Sequence, residues 1–541
     1  MFLLRVAHNA SRPVNRVPVE VLAEIFLRNL PPQCEHFGRD GDRVPDSEYV
    51  SALTQVCSFW RQVALGTPAL CSILPISDKP ELAITMAEQH PTKPLRIFFS
   101  NKGYVNLPNA SAVLVRVISR HAARISGLWT ISSYRLLATA LGALPDTLPA
   151  MKSMRVDLQQ MFRGDRDTLT TIHSRLLRLR TPMLEHLHIS PISSSILWAT
   201  QLIRSPGLRH LFILLEEPTD IARSHSLANI LDVLGNLTSL ESLQIRRWLA
   251  PSDPPTLLPN KACLPRLREL KLVGSCNGCI NILGNLELSW PLSSLSLSCD
   301  DTDEGDIRAE EVFHALESHD ELPPEVTLEL WAEDCYIEVH YGRPVRRGDS
   351  YRRPISLVFP AENEDDHVLA IAEHVVPHII RSGTTALALE GSYPQYWDRH
   401  LDLRGMFERW STIREVCVTY IEPTISFLRA IQTAERDGHD RSRWILPNLA
   451  SLEVSQASDE DRIDPSAEHP WFGVLLAEME LRCQAKAEDG VPVFRSLTFR
   501  WCDDIPKGGL DALRKMVPRI RVTDDVAAPL QLEEQSVNVL F

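Results

Sequence analysis

A six-residue phrase, apolar-x-x-Leu-x-apolar, recurs along this chain and constrains its fold more than any other feature. Its anchor residues are Leu184, Leu187 and Ile189; Leu208, Leu211 and Ile213; Leu240, Leu243 and Ile245; and Leu267, Leu270 and Leu272. They return as Leu292, Leu295 and Leu297; Ile413, Val416 and Val418; Leu449, Leu452 and Val454; and Phe494, Leu497 and Phe499. Weaker copies surround Leu128, Met154, Leu328, Leu357 and Leu387. Alternation at the end of each phrase fits a short strand with one face inward. Turn residues precede several copies, as in Thr181-Pro182, Ser205-Pro206-Gly207, Leu264-Pro265 and Leu446-Pro447. Between phrases, apolar spacings such as Leu227, Ile230, Leu231 and Leu234 predict helices. Copies about thirty residues apart cannot each cover their own apolar side, so neighbours must stack. The expected class is α/β, an irregular solenoid of strand/helix repeats over residues 77–523. Two α/β subdomains divided near residues 300 to 365 fit the same pattern, because the phrase is weakest there and charge is densest.

The first eighty residues follow a different rule. Pro18 stands where a helix can begin without losing a hydrogen bond, and Leu22, Ile25 and Phe26 follow at helical spacing. Pro31-Pro32 stops that helix. Asp46 or Ser47 can cap a second one running to about Leu65, along which Leu53, Val56, Cys57, Trp60 and Val63 recur at intervals of three and four. Gly66-Thr67-Pro68 ends it, and a further turn covers Pro68 to Leu74. A unit of about sixty residues buries only ~60% of its unfolded surface and is marginal alone. Its apolar stripe therefore predicts either a tightly packed private core or a foreign partner.

These residues carry a resemblance. Arg16-Val17-Pro18-Val19-Glu20-Val21-Leu22-Ala23-Glu24-Ile25-Phe26 is similar to the opening of the F-box. Leu53-Thr54-Gln55-Val56-Cys57-Ser58-Phe59-Trp60-Arg61-Gln62-Val63-Ala64, followed by Thr67-Pro68-Ala69-Leu70, resembles its close. Two positions depart from the family pattern, Val17 for a leucine and Cys71 for a tryptophan. The resemblance implies an F-box-like helical domain over residues 13–76. Pro18, Leu22, Ile25, Phe26, Leu53, Val56, Cys57, Trp60 and Val63 would then serve binding of an Skp-family adaptor and, through it, cullin ligase subunits. The body resembles the irregular leucine-rich repeats that commonly follow an F-box, without the asparagine ladder in most copies. The function implied is the substrate-recognition subunit of an SCF-type ubiquitin ligase, binding an unidentified target protein. A leucine-rich-repeat scaffold with a degenerate F-box and no ligase role stays open beside it. Residues 1–12 and 524–541 are expected to be tails.

Composition excludes several other classes. A net charge of −14 argues against nucleic acid, whose binding draws on clustered Lys and Arg. No stretch approaches the ~20 apolar residues of a membrane span, and Met1 to Arg5 is too short for a secretory signal. Eleven scattered cysteines fit reduced thiols in cytoplasm or nucleus. Cys276-Asn277-Gly278-Cys279 lacks the second close pair a zinc site needs, and Pro377 interrupts the helix that His374 and His378 would require. No nucleophile elbow, phosphate-cradling loop or His-Glu-x-x-His appears, so neither an enzyme nor a cofactor is expected. Arg343, Arg346, Arg347, Arg352 and Arg353 gather beside Tyr341 and Tyr351. Such a cluster can clamp an acidic or phosphorylated target. A solvated loop competes with that reading.

Overall fold

The computed structural model describes residues 12–29, 47–76, 80–100, 107–158, 166–192, 197–215, 227–248, 258–259, 261–288 and 292–299. Further along it describes 312, 316, 325–331, 336–341, 345–347, 350–352, 355–360, 384–391, 407, 412–419, 421–431, 446, 448–455, 470–489, 495–500, 502 and 505–523. The expected tails, save Arg12, lie outside these residues, as do His374, His378 and the acidic runs near 300 and 362. The described chain is mixed α/β with predominantly parallel strand pairing, and it separates into two units. One comprises Met1–Ala250, Thr256–Lys271 and Asn285–Pro291; the other Pro251–Pro255, Leu272–Gly284 and Leu292–Phe541. The change-over thus falls between residues 271 and 292, earlier than the charge-dense stretch near 300 to 365.

Unit 1 begins with four helices, α1 (Val19–Arg28), α2 (Ser47–Val56), α3 (Ser58–Gly66) and the single turn α4 (Pro68–Cys71). A run of parallel strands follows: β1 (Ile73–Pro75), β2 (Leu95–Ser100), β3 (Ile125–Ser132), β4 (Ser153–Leu158), β5 (His186–Ile192), β6 (His210–Leu215) and β7 (Ser242–Trp248). Each pairs in parallel with the next. Helices α5 (Pro80–Gln89), α6 (Leu107–His121), α7 (Tyr134–Ala143), α8 (Arg166–Arg178) and α9 (Leu227–Gly235) lie in the crossovers that parallel pairing demands. Helix α9 buries Ile230, Leu231, Val233 and Leu234, so its predicted apolar stripe does face the core.

The repeated phrase dictates this geometry residue by residue. Each strand from β5 onward that carries a full copy starts two residues after the phrase begins. Leu184, Leu187 and Ile189 are buried, and so are the equivalent residues from Leu208 to Ile213 and from Leu240 to Ile245. The first leucine closes a turn, its N–H donating to the carbonyl three residues back: Leu184 to Thr181, Leu208 to Ser205, Leu267 to Leu264 and Leu449 to Leu446. Three of those turns hold Pro182, Pro206 and Pro265. The next two N–H groups then share one carbonyl of the preceding copy, Glu185 and His186 on Lys152, Arg209 and His210 on Glu185, Glu241 and Ser242 on Arg209. Arg268 and Glu269, at the start of β9 (Glu269–Gly274), do the same on Glu241. The recurrence thus extends from side-chain pattern to backbone hydrogen bonding.

Two arginines tie the helical layer together. Arg124 donates to the carbonyls of Ala87 and His90 just beyond or within the end of α5, and Arg175 to those of Leu141 and Leu144 at the end of α7. Carbonyls at helix C-termini lack intrahelical partners, and a guanidinium with several donors satisfies more than one of them.

Unit 2 keeps the parallel pattern through β17 (Ala386–Gly391), β18 (Glu415–Thr419), β19 (Ser451–Ser455), β20 (Ser496–Arg500) and β21 (Arg519–Thr523). The paired N–H groups recur here, Arg414 and Glu415 on Thr385, Ala450 and Ser451 on Arg414, Arg495 and Ser496 on Ala450. An antiparallel insertion departs from it. β12 (Glu325–Trp331) pairs antiparallel with β13 (Tyr336–Tyr341), and β13 antiparallel with β16 (Ile355–Pro360), which lies parallel to β11 (Ser294–Cys299). The run resumes where β12 pairs in parallel with β17.

Candidate partner-binding surface

The amino-terminal helices of unit 1 form a module with its own core. Leu22 and Phe26 on α1, Leu53 on α2, Val63 and Ala64 on α3, and Leu70 on α4 make one buried cluster. Val17, Ala23, Leu27, Phe59 and Trp60 pack around it, half-buried. The Phe26 and Trp60 rings meet at 4.9 Å between centroids, tilted by 55°. Trp60 also reaches across the sequence, its indole N–H donating to Asn15 Oδ1 at 2.8 Å. That bond fixes the short turn Pro13–Arg16 against α3.

Periodicity alone predicts one helix through Leu65, but the chain breaks it at Cys57, which is fully extended. The Cys57 thiol sulfur accepts from the Trp60 N–H at 3.4 Å, a weak sulfur version of an N-cap. The break redirects the stripe. Leu53 and Val63 stay buried, Trp60 and Cys57 are half-buried, and Val56 turns outward at 57% exposure. Ile25, next to the 1%-exposed Phe26, is 43% exposed, and Pro18 is exposed. The nine residues singled out by sequence therefore divide. Leu22, Phe26, Leu53 and Val63 build the module, whereas Pro18, Ile25 and Val56 face outward.

The module's surface is unusually apolar. Of the large hydrophobic residues that are exposed among the described residues, Val14, Val19, Val21, Ile25 and Val56 all belong to it, and only Leu177, Met183 and Val522 lie elsewhere. Val14, Val19 and Val21 escaped the sequence reading, because the helical stripe through Leu22 and Phe26 marks the inward face and leaves the outward one unmarked. Val21 and Ile25 stand one turn apart on α1, flanked by the exposed ion pair of Arg28 Nε and Glu24 Oε1 at 2.9 Å. Isolated exposed apolar residues need no explanation, and it is their concentration in one small module that sets this surface apart.

Cys71 seals the module's end. Its thiol donates to the carbonyl of Leu65 at 3.2 Å, in the last turn of α3, and is buried. Burial pushes its pKa up to about 11. An unfolded thiol ionises near pH ~8.5, so the folded form binds more protons above that pH. The contribution is complete below ~8.5 and is lost as pH rises towards 11, by about 2–3 kcal/mol at most. Urea midpoints at pH 8 and pH 10.5 should therefore fall further for the native protein than for Cys71→Ala. Equal falls would show that Cys71 does not titrate with unfolding.

The other sequence candidates are dispersed. Arg346 and Arg347 lie on strand β14 (Val345–Arg347) and Arg352 on β15 (Ser350–Arg352), an antiparallel hairpin in which Arg346 is registered with Tyr351. Arg343 and Arg353 lie outside the described residues. Cys276 and Cys279 are buried on helix α10 (Cys276–Gly284), Cys279 donating to the Ser298 carbonyl at 3.8 Å. Among the described residues no group of three His, Cys, Asp or Glu side chains is placed to hold a metal ion. Among them, too, no helix is long and apolar enough to cross a membrane.

No protein-family model matches the chain, and no curated protein matches it. Among solved structures it is similar to a chain in the crystal structure of the Rad7 and Elc1 complex in yeast, at 12% identity over 96% of each chain with a TM-score of 0.24. A score that low carries no argument about fold or function, which therefore rest on the residues described above.

Proposed function

We propose that the chain is a non-enzymatic substrate receptor of an SCF-type ubiquitin ligase. Its helical module over residues 13–76 acts as an F-box that docks an Skp-family adaptor and thereby the cullin subunits. Its repeats act as an irregular leucine-rich solenoid that holds a target protein. The observation that carries this reading is the number of outward-facing apolar side chains, Val14, Val19, Val21, Ile25 and Val56, on a module whose core is already complete. A module with a private core has no folding reason to display so many.

The magnitudes support a partner but do not let these five side chains act alone. Five side chains, each about half exposed, yield on the order of 5 kcal/mol when buried, against association costs of ~4–15 kcal/mol. Half-buried Trp60 and polar contacts must supply the rest. Ubiquitin transfer would be accelerated by proximity, the target lysine being held near a charged conjugating enzyme brought by other subunits. Cys57, Cys71, Cys263 and Cys279 are unbridged thiols, which suits cytoplasm or nucleus. The arginine hairpin serves in this reading as a clamp for an acidic target segment. Changing all five arginines to serine should reduce target capture, and unchanged capture rejects that role.

The decisive variant is the pair Ile25→Asp and Val56→Asp. Both positions are exposed, so folding should change by no more than ~0.5 kcal/mol per site, while a carboxylate in the docked face should weaken the complex at least about a hundredfold. Co-expression with an Skp-type adaptor should yield a stoichiometric complex for the native chain and none for the variant. A complex that survives both substitutions favours a repeat scaffold whose module serves no ligase.

A further inference from the structure

The repeats of unit 2 end at β21, and the register carried from strand to strand shows what the last one lacks. Val416, Leu452, Leu497 and Ile520 are successive partners across β18 to β21, and Val418, Val454, Phe499 and Val522 form the next such row. These are the inward positions of the phrase. On β18, β19 and β20 they are at most 3% exposed, whereas Ile520 is half-buried and Val522 is 45% exposed. The position that buries a phenylalanine on β20 thus leaves a valine open on β21. Among the described residues β21 pairs with β20 alone, so its other edge has no neighbour to cover the inward side chains or to bond the backbone groups. Among those residues, too, Val522 is the single exposed large hydrophobic of unit 2. A stack of repeats stays soluble when its terminal unit is capped.

The same end is basic in a chain whose net charge is −14. The helix Lys507–Met516 and β21 carry Lys507, Arg514, Lys515, Arg519 and Arg521, and their one acid, Asp511, already pairs with Arg514 at 3.0 Å. Two strands away, Glu453 on β19 is held by Arg500 at 2.8 Å. Lys507, Lys515, Arg519 and Arg521 are exposed, and their side chains make no ion pair among the described residues. Five cations less one acid leave residues 505–523 at +4. Residues 524–541, which follow, lie outside the described residues. Their sequence holds Asp524, Asp525, Glu533 and Glu534 with neither Lys nor Arg, a net charge of −4. It also holds Leu530 and Leu532, apolar residues at strand spacing, directly after Pro529.

We propose that the chain after Thr523 turns back and adds an acidic strand, antiparallel, along the free edge of β21, capping the stack. Length selects the direction, since an antiparallel neighbour needs only a short turn and a parallel one a crossover of about a dozen residues or more. One register satisfies both chemistries. With the turn over residues 524–528, Leu530 falls opposite Val522, Leu532 opposite Ile520 and Glu533 opposite Arg519. The leucines then continue the inward rows, and Glu533 makes an opposite-charge cross-strand pair. Pro529 begins the strand, where its missing N–H is tolerated. A slip of one residue would turn both leucines to the outward face. The arginines also disfavour a second copy as the occupant, because two β21 edges meeting would set like charges side by side. Capping of this edge is independent of the receptor reading.

The test is hydrogen exchange of the full-length chain beside a version that stops at Thr523. In the full chain, the β21 amides that point away from β20 should be protected, together with amides in 530–533. In the shortened chain those β21 amides should exchange at least about tenfold faster. Where far-UV circular dichroism shows that the shortened chain fails to fold, a charge swap in the full chain takes its place. Arg519 is exposed, so Arg519→Glu leaves folding intact, and it should speed exchange at 530–533 about threefold. Adding Glu533→Arg should restore the native rate. The proposal is overturned if residues 530–533 exchange as fast as an unstructured peptide, if shortening leaves β21 unchanged, or if the paired swap exchanges as fast as Arg519→Glu alone. Protection of β21 that falls on dilution also overturns it, because a second copy and not the chain's own segment would then occupy the edge.

Discussion

Replacing Phe26 with alanine is expected to unfold the amino-terminal module while the strands beyond it persist. The ring is 1% exposed and packs on Trp60 within a cluster drawn entirely from residues 22 to 70. Truncating a buried phenylalanine costs ~3–5 kcal/mol. A unit of about sixty residues has little more than that to lose. Hydrogen exchange should show α1 and α3 amides approaching unfolded rates, with β4 to β6 amides still protected. Adaptor binding should vanish with the module. Protection retained in α1 would mean that the cluster does not hold the helices together. Comparison with Ile25→Asp separates two routes to the same loss, since Phe26 acts through folding and its neighbour Ile25 acts through contact.

An effect of similar size is expected in unit 2 from Glu478→Ala. On helix α12 (Pro470–Asp489), Arg482 Nε donates to Glu478 Oε1 at 2.7 Å, and the two side chains are 1% and 0% exposed. Arg482 Nη1 also donates to the Leu446 carbonyl at 3.4 Å, and Leu446 holds a left-handed φ of 48° that costs a leucine ~1–2 kcal/mol. The arginine thus helps to hold a strained turn at the start of a repeat. Removing Glu478 takes this carboxylate from a buried guanidinium, at a cost of ~3–5 kcal/mol. Converting the pair together, Glu478→Leu with Arg482→Met, should recover most of that loss, because the buried charges then disappear. Urea denaturation decides: a double variant as unstable as Glu478→Ala would show that packing, not charge, sets the loss.

The body of the fold was legible because its signal is local and repeated. Each phrase states by alternation which residues turn inward, and the prolines before Leu184, Leu208, Leu267 and Leu449 state where the turn falls. Direction was not legible. The copies at Leu328 and Leu357 lie on β12 and β16, which pair in parallel with β17 and β11, yet β13 between them carries the same alternation at Ile337 and Val339 and pairs antiparallel with both, since alternation fixes a face and says nothing of which way the neighbour runs. Nor was the boundary between units, which falls among the strong copies at 267–272 and 292–297. In the helical module, the stripe identified the core but not its limit. Ile25 and Phe26 are both apolar and adjacent, and only the packing of α3 against α1 decides which is covered. The break at Cys57 left no mark because the spacing of three and four continues across it.

The most direct test of the central claim is calorimetric titration of the full-length chain with a purified Skp-type adaptor at several temperatures. One-to-one binding with a negative heat-capacity change, the mark of apolar burial, is the predicted result, abolished by Ile25→Asp/Val56→Asp. Absence of binding by the folded native chain, or binding that the two aspartates leave intact, would contradict it.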